Sequence, residues 1–399
     1  MREHRLEIAD VFRQHGEAFR KRWGHTLSPQ QRKALRDIGA CRTAALGGHI
    51  EQCDGCPHEL LAYNSCRNRH CPKCQSTARD HWLAERAKEL LPVPHCHVVF
   101  TVPEPLKPLM LQNQQLMYGL LFRAVSQTLL EIAADPRRLG AQIGFLAVLH
   151  TWSQNLLHHP HIHCVVPAGG IAPDGSRWIP CRPKFFLPAK VLSKMFRGKF
   201  LALLREVFAD GKLEFHGQLR PLRQSTRFHN LLRELKSIKW VVHAKPPLGG
   251  PEHVLQYLAR YTHRVAISNG RLLSLENAQV TFRWRDSKDR NRIKSMTLES
   301  TEFIRRFLLH ILPSGFVKIR HFGFLSNRRR SAALVLCRQR LPVSDPHPAP
   351  MLSDQQQSAM KRRCPACRRG TLHVTRWLSA EQLLILVAST RPTYQIDSS

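Results

Sequence analysis

Six of the chain's twelve cysteines fall between Cys41 and Cys74, a window of 34 residues in a sequence of 399. An even spread would put about one there, and cysteine pairs packed this densely are metal sites. Cys53-x2-Cys56 and Cys71-x2-Cys74 have the spacing with which a short turn presents two thiolates to one corner of a tetrahedral zinc site. Cys41, Cys66, His49 and His70 supply four more donors, so two structural zinc ions are expected. The simplest division sets Cys53, Cys56, Cys71 and Cys74 against Cys41, His49, Cys66 and His70. A cross-braced division fits equally well, and His58 could replace one histidine. A later pair, Cys364 and Cys367, is half a site, with His373 and Cys337 the nearby candidates to complete it.

The N-terminus opens with charged residues (Arg2, Glu3, Arg5, Glu7) and has no apolar stretch ahead of a small-residue cleavage site, which argues against secretion. A cytoplasmic, reducing setting then favours metal-bound thiols over disulfides. No apolar run reaches the roughly 18 residues of a bilayer span; the longest candidate is Leu383 to Ala388, so no membrane partner is expected. The 61 Lys and Arg against 29 Asp and Glu leave a formal charge of +32. With 43% apolar residues the chain can still bury ordinary cores. A folded body this basic attracts a polyanion through counterion release, which makes nucleic acid the expected partner. Arg67, Arg69 and Lys73, set among the cysteines, turn the zinc module toward phosphate too.

The pattern of elements is α+β. Residues 1–40 read as two helices, the second announced by Ser28-Pro29-Gln30-Gln31: an N-cap, a proline at the first helical position and a capping-box glutamine. A charged helical pattern from Thr77 to Leu91 stops at Pro92 and Pro94. Strand patterns follow over His95 to Val102, Ile143 to Trp152 and His161 to Val166, and helical ones over Gln112 to Ala133 and Pro188 to Phe208. Gly249-Gly250-Pro251-Glu252 opens another helix that runs to about His263. Val280 to Trp284 is strand-like, Arg328-Arg329-Arg330 is a basic patch, and Leu341 to Gln357 is a linker. The expected domains are a helical, zinc- and DNA-binding 1–91, a core over 92–270, a basic extension of that core over 271–345, and a linker and tail over 346–399.

Two constellations carry chemistry. His161-Ile162-His163 puts two imidazoles on one face of a strand, about 6.7 Å apart at Cα, from which both can converge on one divalent ion. Ile162, Cys164 and Val166 line the opposite, apolar face. Tyr257-Leu-Ala-Arg-Tyr261 places two of only five tyrosines at i, i+4 on one helix face. They border an apolar arc beside Arg260 and Arg264, where a phosphate would be held and the phenolate favoured.

Together these residues resemble the rolling-circle transposases of bacterial insertion sequences, specifically the insertion sequence ninety-one family, which belong to the His-hydrophobe-His (HUH) single-strand endonucleases. The resemblance covers nearly the whole chain. It rests on Cys41-Arg-Thr-Ala-Ala-Leu-Gly-Gly-His49, Tyr63-Asn-Ser-Cys-Arg-Asn-Arg-His-Cys-Pro-Lys-Cys-Gln75, His97-Val-Val-Phe-Thr-Val-Pro103, and Thr151-Trp-Ser-Gln154 leading to His159-Pro-His-Ile-His-Cys-Val-Val-Pro-Ala-Gly-Gly170. It continues through Tyr257-Leu-Ala-Arg-Tyr-Thr-His-Arg-Val-Ala-Ile-Ser-Asn269 and Ile319-Arg-His-Phe-Gly-Phe-Leu-Ser-Asn-Arg-Arg-Arg330.

The resemblance implies an HUH core, an antiparallel sheet flanked by helices, behind a helical zinc-binding domain. It implies that His161 and His163 hold catalytic Mg²⁺ or Mn²⁺, with Gln154 as third ligand and Gln256 as the alternative. Tyr261 would attack first and Tyr257 would be its partner, cutting and rejoining single-stranded DNA through 5′-phosphotyrosine linkages. The implied partners are single-stranded DNA at transposon ends and target DNA, gripped by Arg260, Arg264, Arg328, Arg329 and Arg330 as well as the zinc module, at the bacterial nucleoid. Bond energy is conserved in such chemistry, so no nucleotide cofactor is expected, and the chain has no GxxxxGK loop. A plasmid relaxase or replication initiator shares the chemistry but commonly carries a phosphate-loop helicase. A non-enzymatic zinc-dependent nucleic-acid-binding protein explains the charge and the cysteines but not the paired histidines and tyrosines.

Overall fold

The structure, a computed structural model, describes residues 6–182, 186–248, 265–286, 289–341, 363–389 and 395–397. The helix expected from Gly249, with Gln256, Tyr257, Arg260, Tyr261 and Arg264, lies outside the described residues, as does nearly all of the expected linker. The described elements are mixed helix and largely antiparallel sheet, an α+β fold. They form two compact units, each assembled from separated stretches: residues 1–84, 263–311 and 351–399 in one, 85–262 and 312–350 in the other. These units are discontinuous in sequence, unlike the contiguous domains expected from it. Strand pairing across long sequence distances shares 271–345 between both units and returns the tail to the zinc-binding segment.

The chain opens with α1 (Ile8–Trp23), capped by a box between Glu7 and Asp10, and α2 (Pro29–Ala40). α2 starts as its sequence specifies: Ser28 Oγ accepts from the Gln31 N–H at 3.3 Å, and Gln31 Oε1 accepts from the Ser28 N–H at 2.9 Å. The cysteine segment then forms an antiparallel hairpin, β1 (Gly48–Cys53) and β2 (Glu59–Tyr63), before α3 (Pro72–Ala87).

The second unit continues with β3 (His95–Thr101), α4 (Lys107–Gln112), α5 (Gln114–Ala134), β4 (Gly144–Trp152) and β5 (His158–Pro167). The short pair β6 (Gly169–Ile171) and β7 (Trp178–Pro180) leads to α6 (Ala189–Ala209), α7 (Ser225–Ser237) and β8 (Val241–Leu248). β5 lies at the centre, with β4 and β3 antiparallel on its two sides and β8 outside β3.

Back in the first unit, β9 (Leu272–Glu276), β10 (Gln279–Asp286) and β11 (Arg292–Glu299) form a meander, followed by the helix Ser300–Leu308. That helix packs on α1, with Phe12 edge-on to Phe307 at 5.2 Å between ring centroids. β12 (Ile319–Gly323) then adds an antiparallel edge strand to the second unit's sheet, giving the order β12-β4-β5-β3-β8. Where β12 ends, Gly323 has φ 62° and a Cβ on it would stand 1.8 Å from the Ile143 carbonyl oxygen, so only glycine closes this edge. After the helix Arg330–Arg340, β13 (Leu372–Leu378) pairs with β1 and β14 (Gln395–Asp397) pairs with β2. The tail is thus built into the cysteine sheet.

One face of the five-stranded sheet forms the main core. Val98 and Phe100, Ile162, Cys164 and Val166, and Phe145, Ala147 and Leu149 are all essentially inaccessible, packed with Phe122 and Leu129 of α5 and Phe196 and Phe200 of α6. Each such large side chain contributes about 1.5–3 kcal/mol. A one-residue slip would turn all of them outward, so this core fixes the strand register and, with it, what the opposite face displays. Among the described residues no helix is long and apolar enough to cross a membrane.

Candidate metal centres

The register that buries Ile162 and Cys164 turns His161 and His163 to the other face of β5. β4 sets His150 directly opposite His161. One ring nitrogen from each of His150, His161 and His163 lies within 4.8 Å of the others. Ring centroids are 4.5 Å apart for His150 and His163, 4.8 Å for His161 and His163, and 5.4 Å for His150 and His161. His150 and His163 are buried and His161 is partly so.

Neighbours orient these rings. His161 Nδ1 donates to the His159 carbonyl at 2.6 Å, which leaves Nε2 with a free lone pair. His163 Nδ1 lies 2.9 Å from Nε2 of His97, a buried histidine on β3. Burial pushes His161 down to about 4, so at neutral pH it is in the uncharged form that coordinates a cation. Burial, aided by Lys245, His161 and His243, lowers His97 to about 3. Lys245 stands opposite His97 on β8.

His150 was not expected. Sequence reasoning sought an oxygen donor and chose Gln154, which lies in the turn between β4 and β5, past the last ladder pair of Trp152 with His158. The residue types carry no parity signal for it, since Phe145 to Leu149 is apolar throughout; only the β4–β5 register, which sets His150 opposite His161, puts the two on one face.

The cysteines gather into two foursomes, Cys41 with Cys66, Cys71 and Cys74, and Cys53 with Cys56, Cys364 and Cys367. In the first, Cys41 follows α2, Cys71 directly precedes α3 and Cys74 sits in its first turn, where the helix dipole favours thiolate. The Sγ–Sγ separations are 3.7 Å for Cys41 and Cys74, 3.6 Å for Cys66 and Cys74, and 3.7 Å for Cys71 and Cys41. Four sulfurs at about 2.3 Å from one tetrahedral ion stand about 3.8 Å apart, so the set has the size of a closed zinc site. Hydrogen bonds from its partners, Cys66 foremost, bring the Cys41 thiol down to about 7.

The simplest division drawn from spacing is corrected accordingly. Cys53 and Cys56 join the tail pair rather than Cys71 and Cys74, and neither His49 nor His70 belongs to a foursome. His49 has both nitrogens engaged, Nδ1 with Asn64 Oδ1 at 2.9 Å and Nε2 with Glu51 Oε1 at 3.3 Å. His373, expected near the tail pair, meets Asp54 instead, and Cys337 is buried in the other unit beside Leu334 and Phe324. His58 is likewise outside both sets.

The expected DNA contacts differ in how they are held. Lys73 pairs with Glu7 at 2.9 Å and Arg330 with Glu89 at 3.4 Å, whereas Arg67, Arg328 and Arg329 are exposed. Arg69 is partly buried.

A family model described as "Transposase zinc-binding domain" matches residues 11–102, and one described as "Putative transposase" matches 144–332. "Putative transposase y4qJ" of Sinorhizobium fredii is 54% identical over 375 residues, covering 92% of this chain and 94% of that protein. "Transposase for insertion sequence element IS801" of Pseudomonas savastanoi pv. phaseolicola is 30% identical over 347 residues, covering 83% and 80%. No solved structure matches. The matched zinc-binding domain and the cysteine foursomes together support structural zinc.

Proposed function

The chain belongs to the IS91 family of insertion-sequence transposases, with an N-terminal zinc-binding domain, and from that premise we propose that it cuts and rejoins single-stranded DNA through 5′-phosphotyrosine intermediates. The observation that carries this reading is the gathering of His150, His161 and His163 on the face of β5 opposite the core. Three gathered imidazoles, His161 among them held neutral by burial, form a candidate cation site, and the protein around them supports it: the His159 carbonyl fixes the His161 ring and His97 meets His163.

A divalent ion bound there would neutralise charge on the scissile phosphate and hold it for in-line attack. The donor set is all nitrogen, poor for oxygen-seeking Mg²⁺ and better for Mn²⁺. In the cutting step a tyrosine oxygen forms the new bond to phosphorus, and the bond to the 3′ oxygen breaks. The 3′ oxygen leaves as a hydroxyl, taking up one proton as the phenol loses one. Rejoining is the reverse, with a 3′ hydroxyl attacking the phosphotyrosine. One bond is exchanged for another of like energy, so no nucleotide is consumed.

Tyr257 and Tyr261 are the nucleophiles in this proposal, on the strength of their spacing and the family resemblance. The described tyrosines suit the role less well. Tyr118 is fully buried against His158 Nε2 at 2.8 Å, and burial pushes its hydroxyl well above the usual phenol range. Tyr63 belongs to β2 in the zinc-binding unit. Exposed Arg328 and Arg329 would track the DNA backbone. The test is cleavage of a labelled terminal oligonucleotide, offered single-stranded and duplex, with Mn²⁺ or Mg²⁺ titrated in. Metal-dependent cutting of the single strand, half-maximal at lower Mn²⁺ than Mg²⁺, is expected; cutting of duplex alone, or without metal, would reject the reading.

A further inference from the structure

We infer that Cys53, Cys56, Cys364 and Cys367 form a second structural zinc site, one whose two halves come from segments more than 300 residues apart. Each half is a CxxC turn that cannot close a tetrahedral site alone. The first leads from β1 toward β2, and the second precedes β13. Cys53 Sγ stands 3.7 Å from Cys367 Sγ and Cys56 Sγ 3.7 Å from Cys364 Sγ. Those edges match the roughly 3.8 Å of four thiolates around one zinc, and are far longer than the roughly 2.05 Å of a disulfide.

The surrounding backbone is arranged for thiolate. The Gly55 N–H donates to Cys53 Sγ at 3.3 Å and the Gly370 N–H to Cys367 Sγ at 3.3 Å. The two turns approach so closely that a Cβ on Gly370 would stand 2.3 Å from Cys53 Sγ and 2.9 Å from the Gly55 nitrogen. Asp54 ties them further, its Oδ1 accepting from the Thr371 N–H at 2.7 Å and its Oδ2 meeting His373 Nε2 at 3.2 Å. β1 and β13 carry the pairing onward from Cys53 opposite Leu372.

Apolar burial does not account for this junction. Besides the cysteines its cluster holds only Leu60 and Leu372, too little to order two turns. All four positions are protein sulfurs, so the site is closed and structural, and it fastens the C-terminal segment to the zinc-binding domain. This inference stands apart from the catalytic reading.

The test is the zinc content of the full chain, purified without chelator. Two zinc ions per chain are expected, one for each foursome. Cys53→Ser/Cys56→Ser and Cys364→Ser/Cys367→Ser should each lose one, and the quadruple variant should lose no more than either double. The ion that remains in the Cys41 foursome reports that the domain is folded. Gly370→Ala, which removes no ligand, should lose the same ion. A tail variant that keeps both ions, or a quadruple variant that drops two while each double drops one, would overturn the site. Should a variant misfold, thiol alkylation of the unaltered protein decides: all four sulfurs should be protected and become reactive together on chelation, and immediate labelling of Cys364 and Cys367 beside protected Cys53 and Cys56 would overturn it.

Discussion

Nε2 of His97 lies 2.9 Å from Nδ1 of His163, with the two rings stacked 6° from parallel at 5.1 Å. Burial keeps His97 uncharged, so its Nε2 can accept a hydrogen from His163 Nδ1, which fixes the orientation of the His163 ring within the gathered trio. Orienting partners of this kind are worth about 10–100-fold in metal affinity. His97→Ala should therefore raise the Mn²⁺ concentration for half-maximal cleavage by about that factor, with single-strand binding little changed, and His97→Gln should recover part of the loss. An unaltered Mn²⁺ titration would show that His97 only fills space.

The placement of His150 leads to a comparison of two variants. His150→Ala removes a nitrogen from the gathered trio, whereas Gln154→Ala alters a turn residue beyond the ladder. Mn²⁺ binding, followed by calorimetry or by electron paramagnetic resonance of free Mn²⁺, should weaken at least tenfold in His150→Ala, as expected for a direct ligand. Gln154→Ala should weaken it less. The reverse ranking would restore the glutamine as third ligand.

Much of this arrangement was legible in the sequence. Period-two alternation around Ile162 marked β5, the continuous apolar run from Phe145 to Leu149 marked β4, and the Ser28 capping box marked α2, because these signals are local. The β1–β13 ladder and the joining of Cys53 to Cys367 were not legible, because they pair segments whose separation no spacing rule spans. His150 was not legible either: the run before it is apolar at every position, so its face and its partner were known only once β4 was placed beside β5. The interleaving of the two units has the same origin, since β12 and β13 each return to strands laid down much earlier.

Electrostatic contacts separate the arginines. Arg328 and Arg329 are exposed and make no ion pair among the described residues, whereas Arg330 is held by Glu89. Arg328→Ala and Arg329→Ala should each weaken DNA binding across sequences and reduce the slope of log affinity against log salt by about 1. Arg330→Ala should change the slope less. Equal slopes for all three variants would contradict this division.

Acid sensitivity follows from the buried histidines. Burial holds His95, His161 and His321 at about 4 and His97 at about 3, against 6.5 for the free side chain. As pH falls below 6.5 the unfolded chain takes up protons that the native one refuses, so stability is fully present above 6.5 and drains away toward about 4. The melting temperature should be level between about pH 7 and 8 and fall steadily from about 6.5 downward. A melting temperature that holds flat to about pH 4.5 would contradict the burial of these rings in neutral form.

The central claim is that a tyrosine of the 257/261 pair carries the cut 5′ end. The most direct measurement incubates the full chain with Mn²⁺ and a labelled single-stranded terminal oligonucleotide, then identifies the covalently linked peptide by mass spectrometry. The account predicts a 5′-phosphotyrosine adduct at Tyr261 or Tyr257, reduced in each single Phe variant and absent from Tyr257→Phe/Tyr261→Phe and from His161→Ala/His163→Ala. An adduct that persists at full yield in the double tyrosine variant, or one mapped to a different residue, would contradict it.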